Sequence, residues 1–257
     1  MKKIFLMTLA VLASVCMMSA QKPQRAKVLC GPYVQCVSET GFTVIWTTDV
    51  DCVAWVEVAP DDGSHFYAAE REKYYDARGN GVLPVGKIHK IVVEDLEPGT
   101  TYRYRVMSKG VIAYNGSGDV QYMKPSGTDV HRGEPFKITT FKKEYDELRF
   151  DIFNDIHGKD SLFNRILAGA RDNRDFVFLN GDMTSNISSE DLIAKMYLAS
   201  AAKSLNGSVP MFASRGGLNE ILILLCLERN KAAMEKCNEL QTLPEYNKNG
   251  KFIILSK

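Results

Sequence analysis

Asp155, His157 and Asp182 are the residues of this chain whose types and spacing suit chemistry. Asp155 and His157 belong to Asn154-Asp155-Ile156-His157-Gly158, and Asp182 closes Asn180-Gly181-Asp182. Each stretch ends an apolar, strand-like run, and a helical pattern lies between them. Residues two apart on a strand point to the same side, so Asp155 and His157 are expected to face together. A carboxylate at the end of the next parallel strand converges on the same rim. Two carboxylates and an imidazole form a donor set for a divalent transition metal. For a two-metal hydrolase the set is incomplete, because none of the 4 histidines follows His157.

The elements that must position these residues read as the opening of an α/β layer. Leu148 to Phe153 is a strand, and Asp160 or Ser161 caps a helix carrying Leu162, Phe163, Ile166, Leu167 and Ala170 on one face. Phe176 to Leu179 is a second strand, apolar throughout as buried parallel strands are. Ser188 or Ser189 opens a helix with Leu192, Ile193, Met196 and Tyr197 on one face, and Val209 to Ser214 is a third strand. In such a layer ligands bind at the C-terminal ends of the strands, where all three residues fall.

The preceding half has a different character. From Val28 to Phe141 short strands alternate with turn residues. Thr43 to Thr48 is β-branched and aromatic, Val53 to Val58 alternates in part, and His89 to Val93 is another strand. Pro98-Gly99 then turns into the alternating run Thr101 to Val106, whose tyrosines are placed to form a sandwich corner. Gly110 to Pro135 reads as a long loop or hairpin insertion, Phe136 to Phe141 as the last strand, and Lys142 to Glu147 as a charged linker. Trp46 and Tyr102 are expected as core and corner residues. His65, His89 and His131 are expected to be solvated or hydrogen-bonded and are given no metal role.

Gly31-Pro32-Tyr33-Val34-Gln35, Trp46-Thr47-Thr48 and Leu96 through Val106 together resemble a fibronectin type III-like module. They resemble more closely the N-terminal domain of purple acid phosphatase-like proteins. Asp155-Ile156-His157 and Gly181-Asp182 resemble the first two motif blocks of the calcineurin-like metallophosphoesterases, the superfamily that contains those phosphatases. The resemblance implies that Asp155 and His157 hold a first metal and that Asp182 bridges to a second. It implies iron, zinc or manganese as the cofactor, a phosphorylated small molecule or macromolecule as substrate, and hydrolysis by a metal-activated water.

The third block departs from that family. Where it carries Arg-Gly-Asn-His-Glu, this chain reads Arg215-Gly216-Gly217-Leu218-Asn219-Glu220, without the histidine. Asn219 is either a displaced counterpart of the second-metal ligand or the N-cap of the helix that follows. Ile221 to Leu227 is apolar all round, Glu228 to Leu240 is a charged helical stretch, and nothing to the end matches the later family blocks. A frame shift near Gly216, or another truncation of the gene, is therefore expected, and translating the downstream DNA in the other frames checks it. Little or no hydrolase activity is expected from the chain as it stands.

The expected organisation is a signal peptide over 1–20, an all-β fibronectin III-like sandwich over 27–142, a partial α/β phosphoesterase layer over 147–215, and an aberrant, mostly helical tail over 216–257. Lys2 and Lys3 precede the apolar run Ile4 to Val15, and Ser19-Ala20 ends it, so cleavage is expected before Gln21. Export to the periplasm or medium follows, with lipoprotein anchoring at Cys16 as the alternative. The apolar run is short for a membrane span of about 20 residues, and no transmembrane helix is expected in the mature chain. Its cysteines, Cys30, Cys36, Cys52, Cys226 and Cys237, read as small buried apolar residues, with one bridge allowed among the first three. With 32 basic and 31 acidic residues the chain offers no electrostatic case for nucleic acid or an anionic membrane. One rival reading is a secreted binding module with a vestigial α/β segment. A serine or cysteine hydrolase is disfavoured, because the chain has no Gly-x-Ser-x-Gly elbow and its α/β half has no Cys beside a His.

Overall fold

The computed structural model describes residues 25–76, 82–116, 118–145, 147–169, 173–184 and 198–213. The signal peptide with Cys16, the helix read from Ser188 to Tyr197, Asn219, Cys226, Cys237 and the whole tail lie outside the described residues.

An eight-stranded antiparallel sheet comes first, built around one long strand. Its strands are β1 (Val28–Gln35), β2 (Phe42–Pro60), β3 (Glu72–Tyr75), β4 (Gly86–Val93), β5 (Thr101–Tyr114), β6 (Val120–Tyr122), β7 (Ser126–Gly127) and β8 (Phe136–Thr139). The two runs read as separate strands, Thr43 to Thr48 and Val53 to Val58, are one 19-residue strand. Its first part pairs with β1 and β4, its second with β3 and β5, and the β4 register shifts between Thr47 and Cys52. One strand thus serves two layers and folds the sheet into a sandwich-like form. The insertion after Gly110 is a hairpin, with β5 running to Tyr114 and returning as β6.

Alternation explains the interior. Phe42, Val44 and Trp46 of β2 and His89, Ile91 and Val93 of β4 all point inward and are buried. Trp46 donates its indole N–H to Ser108 Oγ at 3.0 Å, so the expected core tryptophan also has its polar atom paired. The Tyr102 hydroxyl accepts the Glu97 amide at 2.9 Å and closes the corner behind Pro98-Gly99. Cys30 and Cys52 are buried and Cys36 is half-buried, and all three are free thiols, so the allowed bridge among them is not made. Burial raises the Cys30 thiol to about 11, which keeps it protonated and inert.

A second, three-stranded parallel sheet has the order β11-β10-β9. It comprises β9 (Phe150–Asn154), β10 (Phe176–Asn180) and β11 (Met211–Ala213), with α1 (Asp160–Gly169) after β9 and α2 (Ala199–Leu205) before β11. Phe150, Ile152, Phe176, Phe178 and Phe212 share a core with Val56, Tyr104 and Val106 of the sandwich. The other face, Phe153, Val177, Leu179 and Met211, packs on Phe163 and Leu167 of α1 and on Ala201, Ala202 and Leu205 of α2. The helix face read for α1 is narrower than expected, since Leu162 and Ile166 are exposed. Among the described residues, no helix is long and apolar enough to cross a membrane.

Polar contacts fix how the two sheets meet. Tyr104, wholly buried, donates its hydroxyl to the Gly207 carbonyl at 2.7 Å, and burial pushes that phenol far up. Gly207 has φ +60°, and a Cβ there would lie 2.5 Å from the Tyr104 hydroxyl, so the turn into β11 needs glycine. Within the parallel sheet the buried Arg174 side chain pairs with Asp151 of β9 at 3.0 Å. It also donates to the Leu167 carbonyl of α1 at 3.3 Å, tying helix and strand together.

Candidate metal centre

Asp155, His157 and Asp182 come together. Each offers a ligand atom, these atoms lie within 4.8 Å of one another, and all three side chains are exposed. The meeting place is the C-terminal rim of the parallel sheet, just beyond β9 and β10. Ile156 between the first two residues is buried, so the exposed–buried–exposed order survives.

The local geometry differs from the strand alternation that the spacing suggested. β9 ends at Asn154, and Asp155 and His157 stand beyond it with left-handed backbones, φ 51° and 50°. Non-glycine residues enter that region at a cost of about 1 kcal/mol or more each and hold it only where neighbours over-determine it. Here the neighbours are main-chain groups of the second loop. The Asp155 amide donates to the Asn180 carbonyl at 3.2 Å, His157 to Asp182 at 3.0 Å, and Gly158 to Met183 at 2.8 Å. In return the Asp182 amide donates to Asp155 Oδ1 at 2.9 Å. Below them the Asn180 side-chain amide donates to Asn154 Oδ1 at 2.9 Å, a cross-strand pair where the strands end.

Two carboxylates aimed at one exposed point repel unless a cation lies between them, and an imidazole beside them adds a neutral donor. That chemistry fits a first-row divalent or trivalent ion, and three protein ligands leave coordination positions open, as catalytic rather than structural sites do. Asn219, the fourth candidate, lies outside the described residues.

The other histidines are placed differently. His89 is buried, its Nε2 lies 2.9 Å from Thr48 Oγ1, and burial lowers it to about 4. The single Thr48 hydroxyl proton goes to the Val50 carbonyl at 2.8 Å, so the ring donates from Nε2. His65 accepts the Tyr67 amide at Nδ1, 3.2 Å away, and His131 stacks on the Tyr67 ring at 4.3 Å. What the sequence reading missed at this rim is the glycine and asparagine support. The visible signal was that Asn precedes both ligand stretches, as Asn154-Asp155 and Asn180-Gly181-Asp182.

Comparison with known proteins places the sandwich more firmly than the rim. No curated protein matches the chain. A purple acid phosphatase from yellow lupin (Lupinus luteus) seeds is 16% identical at a TM-score of 0.48, over 76% of this chain and 35% of that one. A fibronectin type III domain from a human protein is 18% identical at a TM-score of 0.27, over 47% of this chain and 77% of that one. A computationally redesigned β-sandwich protein is 19% identical at 0.26, over 47% and 98%. The chain spans about a third of the lupin enzyme's length. Residues 30–125 match the family model of the purple acid phosphatase N-terminal domain.

Proposed function

We propose that this chain is an exported, metal-dependent phosphoesterase in which Asp155, His157 and Asp182 hold an iron, zinc or manganese ion. The observation that carries the reading is the convergence of these three donors at one exposed point, behind a sandwich that matches the purple acid phosphatase N-terminal domain. An ion bound there supplies Lewis acidity toward a phosphoryl oxygen and toward water. The protein's part is preparation. The Asp182 amide occupies Asp155 Oδ1 and leaves the other oxygen of that carboxylate for the ion. The loop-to-loop hydrogen bonds hold His157 and Asp182 in step, and exposure of all three side chains leaves room for a phosphate ester to approach. Arg215-Gly216-Gly217-Leu218-Asn219-Glu220 lacks the histidine of the family's third block, so a second ion loses a donor there and turnover is impaired.

A second reading draws on the position of the family match, which falls within the sandwich. In it the sandwich is a secreted binding module and the parallel sheet a remnant. Thermal melts with added manganese or zinc separate the two. A metal-dependent rise in melting temperature that is lost in Asp182→Ala supports the phosphoesterase reading, and no rise supports the module. Assays on p-nitrophenyl phosphate with the same ions should give little or no turnover. Strong turnover abolished by Asp182→Ala contradicts the impairment.

A further inference from the structure

We propose that Gly181 is the positioning residue of this site, because its missing side chain makes the space in which the Asp155 carboxylate lies. The inference rests on the metal reading above. Gly181 has φ +77°, and a Cβ there would stand 2.4 Å from Asp155 Oδ1 and 3.3 Å from its Cγ. No carbon–oxygen contact is that short, so one of the two must move. The backbone of Gly181 lies between two fixed points. Asn180 is paired in β10 and its carbonyl takes the Asp155 amide, while the Asp182 carbonyl takes the His157 amide. The carboxylate, by contrast, turns about single bonds. Alanine at 181 costs about 1–2 kcal/mol for its left-handed backbone, and the clash itself is relieved by swinging Asp155 aside rather than by breaking the sheet.

Two losses follow from one displacement. Asp155 Oδ1 leaves the Asp182 amide, which it holds at 2.9 Å, and the whole carboxylate leaves the point shared with His157 and Asp182. A purely structural glycine would cost stability when replaced. A positioning glycine costs ligand geometry while the fold is largely retained. Supporting groups of this kind typically change metal affinity about 10–100-fold.

The experiment uses the full chain and reads the metal-free and metal-loaded states separately. In metal-free protein, hydrogen exchange at the Asp182 amide is followed by NMR for wild type, Gly181→Ala, Asp155→Ala and Asp155→Asn. Exchange should quicken about tenfold or more in Gly181→Ala and Asp155→Ala, since an exposed amide loses its acceptor. In Asp155→Asn it should stay near wild type, because the asparagine oxygen still accepts. Manganese(II) is then titrated alone. Gly181→Ala should bind about tenfold or more weakly while its melting temperature stays within a few degrees of wild type.

A slow Asp182 amide together with wild-type manganese affinity in Gly181→Ala overturns the proposal. Should that variant fail to fold, the Asp155 pair decides, and slow exchange in Asp155→Ala overturns it. A wild type that binds no manganese refutes the metal reading instead. The steric claim is then judged on the exchange pattern alone.

Discussion

The sandwich interior and the rim of the parallel sheet both hold ionisable side chains, and they treat them in opposite ways. Inside the sandwich the buried Glu57, Arg103 and His89 are each paired within the protein. Glu57 is buried against Arg105, with contacts of 2.5 and 2.6 Å, and also accepts the Trp55 indole N–H at 3.0 Å. Arg103 is buried among Asp61, Asp62 and the carbonyls of Pro60 and Ser64. His89 has Thr48. At the rim the backbone groups are paired and Asp155 Oδ1 accepts the Asp182 amide, while the side chains of Asp155, His157 and Asp182 converge at one exposed point. Pairing of head groups stabilises a fold. Convergence of head groups, two of them on backbone held in left-handed conformations, is what the proposed metal site rests on.

The comparison is sharp only if both regions belong to one folding unit, and the largest predicted effect tests this. Phe178 of the parallel sheet packs on Phe212 at 5.9 Å within the core shared with the sandwich. Phe178→Ala should cost about 3–5 kcal/mol. Both tryptophans, Trp46 and Trp55, lie in the sandwich, so urea unfolding followed by their fluorescence should shift to lower midpoint. An unmoved transition would mean that the sandwich folds without the sheet.

The next effect concerns His89. Its folded pKa, pushed down to about 4, lies below the ordinary histidine value of 6.5, because burial disfavours the charged ring. Between those values the unfolded chain binds the extra proton. This contribution is therefore fully present above about pH 6.5 and is lost as pH falls toward 4, on the order of 3 kcal/mol in all. His89→Gln should flatten that limb of a stability–pH curve, and an unchanged limb assigns the loss to other groups.

Tyr104→Phe probes the seam between the two regions. It leaves the buried Gly207 carbonyl without its donor, at a cost of about 1–3 kcal/mol, read by the same urea titration. The smallest effect belongs at the rim. Asp182→Asn in metal-free protein should change stability by no more than about 0.5 kcal/mol, because the exposed head group contributes little to the fold. A large loss would make the rim a structural feature like the sandwich interior.

Much of this arrangement was legible in the sequence, for reasons tied to particular residues. The runs around Phe150 and Phe176 are apolar because both faces of the parallel sheet are covered, one by Tyr104 and Val106, the other by Phe163 and Leu167. Asp155, His157 and Asp182 were readable because they end those runs. The joining of two strands into β2 was hidden, since Asp49-Val50-Asp51 looks like a turn. In the structure Asp49 is held within the strand by Lys27 through its carboxylate at 2.7 Å and its amide at 3.0 Å. The exposure of Leu162 and Ile166 was hidden too, because periodicity shows an apolar stripe but not how much of it meets a neighbour. The role of Gly181 depends on a contact with a residue in another loop, which local pattern does not carry.

The central claim is that the three rim residues form a metal centre. Crystals grown with zinc, measured on both sides of the zinc absorption edge, test it most directly. The account predicts an anomalous peak bounded by the Asp155 and Asp182 carboxylates and the His157 ring, absent in crystals of Asp155→Ala. A peak confined to other residues such as His65 and His131, or an empty rim at zinc concentrations that saturate other sites, would contradict it.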